Sequence, residues 1–213
     1  MSISAQDRAR KIKVILFDVD GVLTDGTLWL IPGSSAPAGG VMGEILDAAG
    51  KDIGFGVESK TLVEAKGYSA HDGIAISLAR LGGLKCGVIT NRISETVATR
   101  ARDLRLEFVY QGQAHKMRAV REICEKEGLT LDEICYVGDD IIDVPVMREC
   151  GLAIAVANAR PQVKAEAHYV TPNRGGYGAG RDAVEFILES RGILGQCIET
   201  YLNQSVPQAG DSQ

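Results

Sequence analysis

The fold is decided by one stretch, Lys13-Val14-Ile15-Leu16-Phe17-Asp18-Val19-Asp20-Gly21-Val22-Leu23-Thr24-Asp25-Gly26. Val14 to Phe17 is a short apolar run, the pattern of a strand buried on both faces in a parallel sheet. It ends abruptly in carboxylates. Side chains alternate along a strand, which predicts that Asp18 and Asp20 leave on the same side. Gly21 lets the chain turn directly after them. In open α/β sheets, ligands bind at the carboxyl ends of the strands. Two adjacent carboxylates there repel each other unless a cation lies between them, and oxygen ligands of this kind suit a hard dication such as Mg²⁺. One carboxylate is then available to attack phosphorus. The other can pass a proton to the leaving alcohol and later take one from water. Read alone, D-x-D-G is equally an Asp-rich turn, so the rest of the chain decides.

Downstream, the pattern alternates. Thr27-Leu28-Trp29-Leu30 reads as a short strand, followed by a Gly- and Pro-rich loop from Pro32 to Gly40. Glu44 to Ser69 reads as hairpin-like strands. Ala48-Ala49-Gly50-Lys51-Asp52 fails as a phosphate loop, because the first glycine is missing and Asp follows the lysine. Ile74, Ala75, Ile76, Leu78, Ala79 and Leu81 form a helical stripe stopped by Gly82-Gly83. Lys85 to Thr90 is a second buried strand, and Ser94 is placed to cap the helix that runs to Leu104. Phe108-Val109-Tyr110 is a short strand, and Lys116 to Glu127 an amphipathic helix closed by Gly128. Ile134 to Val137 is another strand ending in acids, Gly138-Asp139-Asp140-Ile141-Ile142-Asp143. A short helix from Pro145, a strand from Leu152 to Val156, a helix from Pro161 and a strand at Tyr169-Val170 follow. Arg174 to Gly180 reads as a flexible loop, Asp182 to Glu189 as the final helix, and 203–213 as a flexible tail. The alternation implies an α/β fold: a doubly wound parallel sheet with helices on both faces and a β-hairpin-like insertion over 27–70, all in one domain.

Three buried strands thus end in chemistry: Asp18 with Asp20, then Thr90, then Asp139 with Asp140 and Asp143. Lys116 opens the helix between the last two. Phosphoryl transfer needs mostly positioning and charge neutralisation. Asp18 and Asp139 are placed to hold the metal, and the Thr90 hydroxyl and Lys116 ammonium to hold phosphoryl oxygens.

The bulk composition fits a globular enzyme. The chain has 213 residues, 45% of them hydrophobic and 24% charged, enough to bury a sizeable core. A formal net charge of -5 argues against a nucleic-acid binder, which would carry a basic stripe. Met1 to Lys11 is polar and charged, unlike a signal peptide, and no apolar run is long enough to span a bilayer. A cytoplasmic location is the expectation. The five cysteines are scattered without a C-x-x-C pair, so neither zinc nor a disulfide framework is expected.

The motifs together are specific. D-V-D-G-V, V-I-T-N, Lys116 and G-D-D-I-I-D stand in the order of the four motifs of the haloacid dehalogenase superfamily, which the chain resembles from about residue 12 to 190. D-V-D-G-V-L-T-D-G, H-D-G-I, V-I-T-N-R, V-Y-Q-G-Q-A-H-K, Y-V-G-D-D-I-I-D-V-P-V-M and G-G-Y-G-A-G-R-D are similar to a closer group, the 3-deoxy-D-manno-octulosonate 8-phosphate phosphatases. The resemblance implies an Mg²⁺-dependent phosphomonoesterase of lipopolysaccharide sugar synthesis, acting on a small phosphorylated sugar acid. It also implies a homotetramer assembled through the hairpin. Asp18 would be the nucleophile, and Asp20 the general acid/base, lending its backbone carbonyl to Mg²⁺. Asp139 would complete the metal ligands, and Thr90 and Lys116 would bind the phosphoryl group. Asp143 would orient Lys116 or a metal-bound water, with Asp140 nearby. Asn91, Arg92, Gly175, Gly176 and Arg181 would lie on the substrate side. Two alternatives stay open: a phosphatase for another sugar-acid phosphate, such as a nine-carbon acid sugar 9-phosphate, and a non-catalytic assembly module. Two departures bear on this. Asn91 stands where the family has Gly, and Leu30 to Ser69 is longer and richer in Gly and Pro than the family hairpin.

Overall fold

Phe17 lies opposite Val88 on one side and Val137 on the other, so three strands end at one level. They are β1 (Val14–Phe17), β6 (Lys85–Ile89) and β9 (Ile134–Gly138), numbered in chain order. Those three strand ends carry Asp18, Thr90 and Asp139 to one rim of the sheet. The computed structural model describes residues 3–32, 42–46, 52–57 and 62–205. Among them, the main sheet has six parallel strands in the order β11 (Tyr169–Val170), β10 (Leu152–Ala155), β9, β1, β6, β8 (Phe108–Tyr110). All four residues of β1 and all five of β9 are buried. Strands covered on both faces need such unbroken apolar runs. Each large side chain taken fully from water contributes about 1.5–3 kcal/mol, and Ile15, Leu16, Phe17, Ile134 and Tyr136 are among the most buried.

Two sets of helices flank the sheet. α1 (Ala5–Ala9), α2 (Ala70–Leu81), α7 (Ala179–Ser190) and α8 (Leu194–Ser205) pack on one another, and α4 (Lys116–Glu127), α5 (Val144–Glu149) and α6 (Pro161–Glu166) form the second set. The Ser69 hydroxyl accepts from the His71 N–H to open α2, and Gly82 ends it. α3 (Glu95–Asp103) follows Ser94, but that hydroxyl makes no cap. It bonds Glu64 and Thr96 instead, which corrects the capping expectation. α7 begins at Ala179, before the expected Asp182, whose carboxylate accepts from the Asn173 backbone and side chain. α8 was not expected. It runs through Ser205, into the stretch read as a flexible tail. Leu194, Cys197, Ile198 and Tyr201 carry it onto the core at helical spacing.

The insertion is not one hairpin. β2 (Trp29–Pro32) pairs antiparallel with β5 (Leu62–Ala65) as a two-stranded ribbon. β3 (Met42–Leu46) pairs antiparallel with β4 (Asp52–Val57), and β4 runs parallel to the short β7 (Arg92–Ile93) just past Thr90. The expected loop from Pro32 to Gly40 lies, after Pro32, outside the described residues. So do Ala48 to Lys51 and the tail beyond Ser205.

Candidate active site

β1 hands the chain into a tight turn at 19–23. The Val19 N–H donates to Asp18 Oδ1 at 2.7 Å, which aims the carboxylate off the strand end. Its other oxygen, Oδ2, lies 2.9 Å from Lys116 Nζ. Lys116 opens α4 and is itself buried. Its ammonium also meets Asp143 Oδ1 at 2.7 Å. Asp143 is saturated: Tyr136 Oη donates to Oδ1 at 2.8 Å, and the N–H groups of Asp139 and Asp140 donate to Oδ2 at 3.0 and 3.2 Å. Its four donors make it an anchor for Lys116 and for the β9 loop.

Carboxylate oxygens of Asp18, Asp139 and Asp143 lie within 4.8 Å of one another. Burial raises the Asp18 carboxyl pKa, against the pull of Lys116 and with help from Asp143. Burial, reinforced by the charges of Asp18 and Asp143, pushes Asp139 up to about 8. Burial works against the Lys116 charge, but Asp18 and Asp143 outweigh it and hold its pKa above the ordinary value. Asp139 Oδ1 is buried and has no hydrogen-bond partner among the described residues. An orphaned carboxylate oxygen costs free energy unless something satisfies it, and a hard dication shared with Asp18 would do so. The residues present therefore fit Mg²⁺. Gly21, at φ +91°, is pressed against this site: a Cβ there would fall 2.2 Å from Asp139 Oδ2. Only glycine allows that approach at that angle.

Thr90 is buried at the end of β6. Its N–H bonds the Tyr110 carbonyl at 2.9 Å, and its hydroxyl accepts weakly from the Arg92 N–H at 3.3 Å. The Asp20 carboxylate pairs with Lys66, and Arg92 Nε lies 3.8 Å from it. Glu64 binds Arg92 Nη2 at 3.1 Å and lies 3.7 Å from Lys66. Asn91 leaves its buried Oδ1 without a partner among the described residues. Gly175 and Gly176 lie on the 19–25 backbone, and the Gly176 N–H donates to the Val22 carbonyl at 3.0 Å. The Asp140 carboxylate turns back to cap its own loop through the Ile141 N–H. Arg181 sits in α7, where its guanidinium is taken by Glu185 one turn on at 2.6 Å, and its N–H donates to Asp72.

The sequence reading did not single out Glu64, Lys66, Tyr136 or Asn158. Glu64 and Lys66 flank the end of a short strand with no motif around them. Tyr136 reads as one more core residue, and Asn158 as one more loop residue.

A sequence profile of the haloacid dehalogenase-like hydrolases matches residues 88–178. The chain is 32% identical over 194 residues to the 3-deoxy-D-manno-octulosonate 8-phosphate phosphatase of Escherichia coli strain B, covering 91% of this chain and 88% of that protein. The Yersinia pestis phosphatase of that name matches in structure with a TM-score of 0.72 at 30% identity, over 90% of this chain and 88% of that one. The Moraxella catarrhalis phosphatase, solved with a magnesium ion, a phosphate ion and a KDO molecule, matches with a TM-score of 0.74 at 29% identity, over 92% and 97%. The chain belongs to the haloacid dehalogenase-like hydrolases, and within them to the family of 3-deoxy-D-manno-octulosonate 8-phosphate phosphatases.

Proposed function

We propose that this protein hydrolyses 3-deoxy-D-manno-octulosonate 8-phosphate to the free sugar acid and inorganic phosphate through an aspartyl-phosphate on Asp18. The observation that carries the reading is the buried contact of Asp18 with Lys116, 2.9 Å long, beside the unpartnered oxygen of Asp139. A relative at 32% identity across most of the chain, and a structure at 29% identity solved with magnesium, phosphate and KDO, support the substrate and the metal.

In this mechanism Lys116 and Thr90 hold the non-bridging phosphoryl oxygens. Lys116 also keeps Asp18 in place for in-line attack by its carboxylate oxygen on phosphorus. Asp20 gives its proton to the bridging oxygen as the P–O bond to the sugar breaks. It then takes a proton from water, which attacks phosphorus and releases phosphate and the Asp18 carboxylate. Mg²⁺, held by Asp18, the Asp20 carbonyl and Asp139, would neutralise the charge shared by nucleophile and phosphate. Asp143 holds Lys116 and the β9 loop, with Asp140 capping that loop. Asn91, Arg92, Gly175, Gly176 and Arg181 line the substrate side in this reading.

The assembly in this reading is a homotetramer. Trp29, Ile31 and Val63 on the β2–β5 ribbon are about half exposed or more, and a two-stranded ribbon is marginal unless it packs on something. A cytoplasmic location belongs to the same reading and is supported by five free, buried cysteines. No helix among the described residues is long and apolar enough to cross a membrane. Phosphate release across a panel of phosphorylated sugars and sugar acids tests the substrate. Strong preference for 3-deoxy-D-manno-octulosonate 8-phosphate is expected. Preference for a nine-carbon acid sugar 9-phosphate would overturn it.

A further inference from the structure

The loop at 157–160, between β10 and α6, touches both carboxylate-bearing segments of the site. The Asn158 side chain spans a gap: its Nδ2 donates to the Gly21 carbonyl at 3.0 Å, and its Oδ1 accepts from the Gly175 N–H at 2.6 Å. Two residues on, the Arg160 N–H donates to the Asp139 carbonyl at 2.9 Å. Gly175 is pressed so closely on the turn that a Cβ there would lie 1.8 Å from the Gly21 oxygen. Gly21 in turn lies against Asp139. The 19–23 turn is therefore held between Asp139 on one side and the Asn158–Gly175 pair on the other.

We propose that Asn158 is a positioning residue that sets the placement of Asp18 and Asp20 relative to Asp139, acting through the Gly21 carbonyl. The inference rests on the phosphatase reading of the site. One short amide does two jobs that a loop alone cannot. It supplies a donor to a carbonyl in a tight turn, and it supplies an acceptor to the N–H of the loop that covers it. Without it, the 21–22 peptide is free to tilt, and the carboxylates on either side of that turn lose their fixed separation. Displacements on the order of 1 Å at a reacting centre cost on the order of 100-fold in rate. Carboxylates that must share one dication are as sensitive to separation, because Mg²⁺ tolerates little departure from its preferred geometry.

The test compares wild type with Asn158→Ala, which loses both bonds, and Asn158→Asp, which keeps only the acceptor for Gly175. Each is measured for kcat and KM, for Mg²⁺ affinity by calorimetry without substrate, and for thermal melting. The expected result is a kcat loss on the order of 10- to 100-fold in the alanine variant with KM nearly unchanged. Its Mg²⁺ affinity should fall in parallel, with the aspartate variant intermediate in both. Unchanged kcat and Mg²⁺ affinity would overturn the inference, as would a kcat loss that follows the melting temperature while Mg²⁺ affinity stays at the wild-type value. If the alanine variant does not fold, the aspartate variant decides by the same criteria. Wild-type turnover separates the two ideas. An inactive wild type refutes the phosphatase reading, whereas an active wild type with indifferent variants refutes only the role of Asn158.

Discussion

Lys116 Nζ stands 2.9 Å from Asp18 Oδ2, with both side chains almost wholly buried. A buried cation shared between two carboxylates holds the site together even without metal. Removing the cation of such a cluster leaves its buried carboxylates uncompensated and typically costs about 3–5 kcal/mol. Lys116→Met should therefore unfold at markedly lower urea, by roughly that amount, and release no phosphate. A variant within about 1 kcal/mol of wild type in urea unfolding would show that Lys116 is not the electrostatic centre of the site.

Mg²⁺ should stabilise the protein more as pH rises. The Asp139 carboxyl is raised from 3.8 to about 8 by burial and by its charged neighbours. Between those values the folded, metal-free protein holds a proton that the unfolded chain has released. Its stability from this group is therefore greatest at low pH and falls as pH rises through that window. Mg²⁺ takes the place of the proton. The thermal shift on adding saturating Mg²⁺ should be small near about pH 6 and larger near about pH 8. A shift that is independent of pH would contradict a metal held by Asp139.

Gly21→Ala is a small change at a place with no room. The new methyl would sit 2.2 Å from Asp139 Oδ2, at φ +91°. The strain is about 1–2 kcal/mol, and the displacement of Asp139 should lower kcat on the order of 100-fold. Steady-state kinetics with a parallel melt checks both. Wild-type kcat in this variant would mean that the turn and Asp139 move independently.

Val63→Glu places a charge on the exposed ribbon formed by β2 and β5, where Val63 is 54% exposed. In the proposed tetramer that position is covered, and a buried unpaired charge is strongly unfavourable. Light scattering should give a tetramer mass for wild type and a lower mass for the variant. A monomeric wild type would refute the assembly.

Much of this arrangement was legible before any coordinates. The β1 stretch was readable because a short apolar run that ends in charges has the pattern of a covered strand, and Asp18 and Asp20 mark where it surfaces. Thr90, Lys116 and Asp139 were readable for the same reason, each at the end of a strand or start of a helix. Asn158 and Lys66 were not. Their roles come from contacts across more than forty residues of sequence, and nothing local distinguishes them from ordinary loop and strand residues. Arg181 carries a visible charge, but its pairing with Glu185 one turn on depends on side-chain placement that a motif does not show. The pairing of β2 with β5, across the intervening β3 and β4, is likewise a long-range choice that alternation alone does not specify.

The most direct test of the account is phosphate release from 3-deoxy-D-manno-octulosonate 8-phosphate in Mg²⁺ by wild type and by Asp18→Asn, with melting temperatures measured in parallel. The substitution removes the attacking oxygen and one buried negative charge while keeping the shape. The account predicts rapid release by wild type, none by Asp18→Asn, and a variant that melts no lower than wild type in the absence of metal. Turnover retained by a folded Asp18→Asn protein would contradict the assignment of Asp18 as nucleophile, and with it the aspartyl-phosphate mechanism.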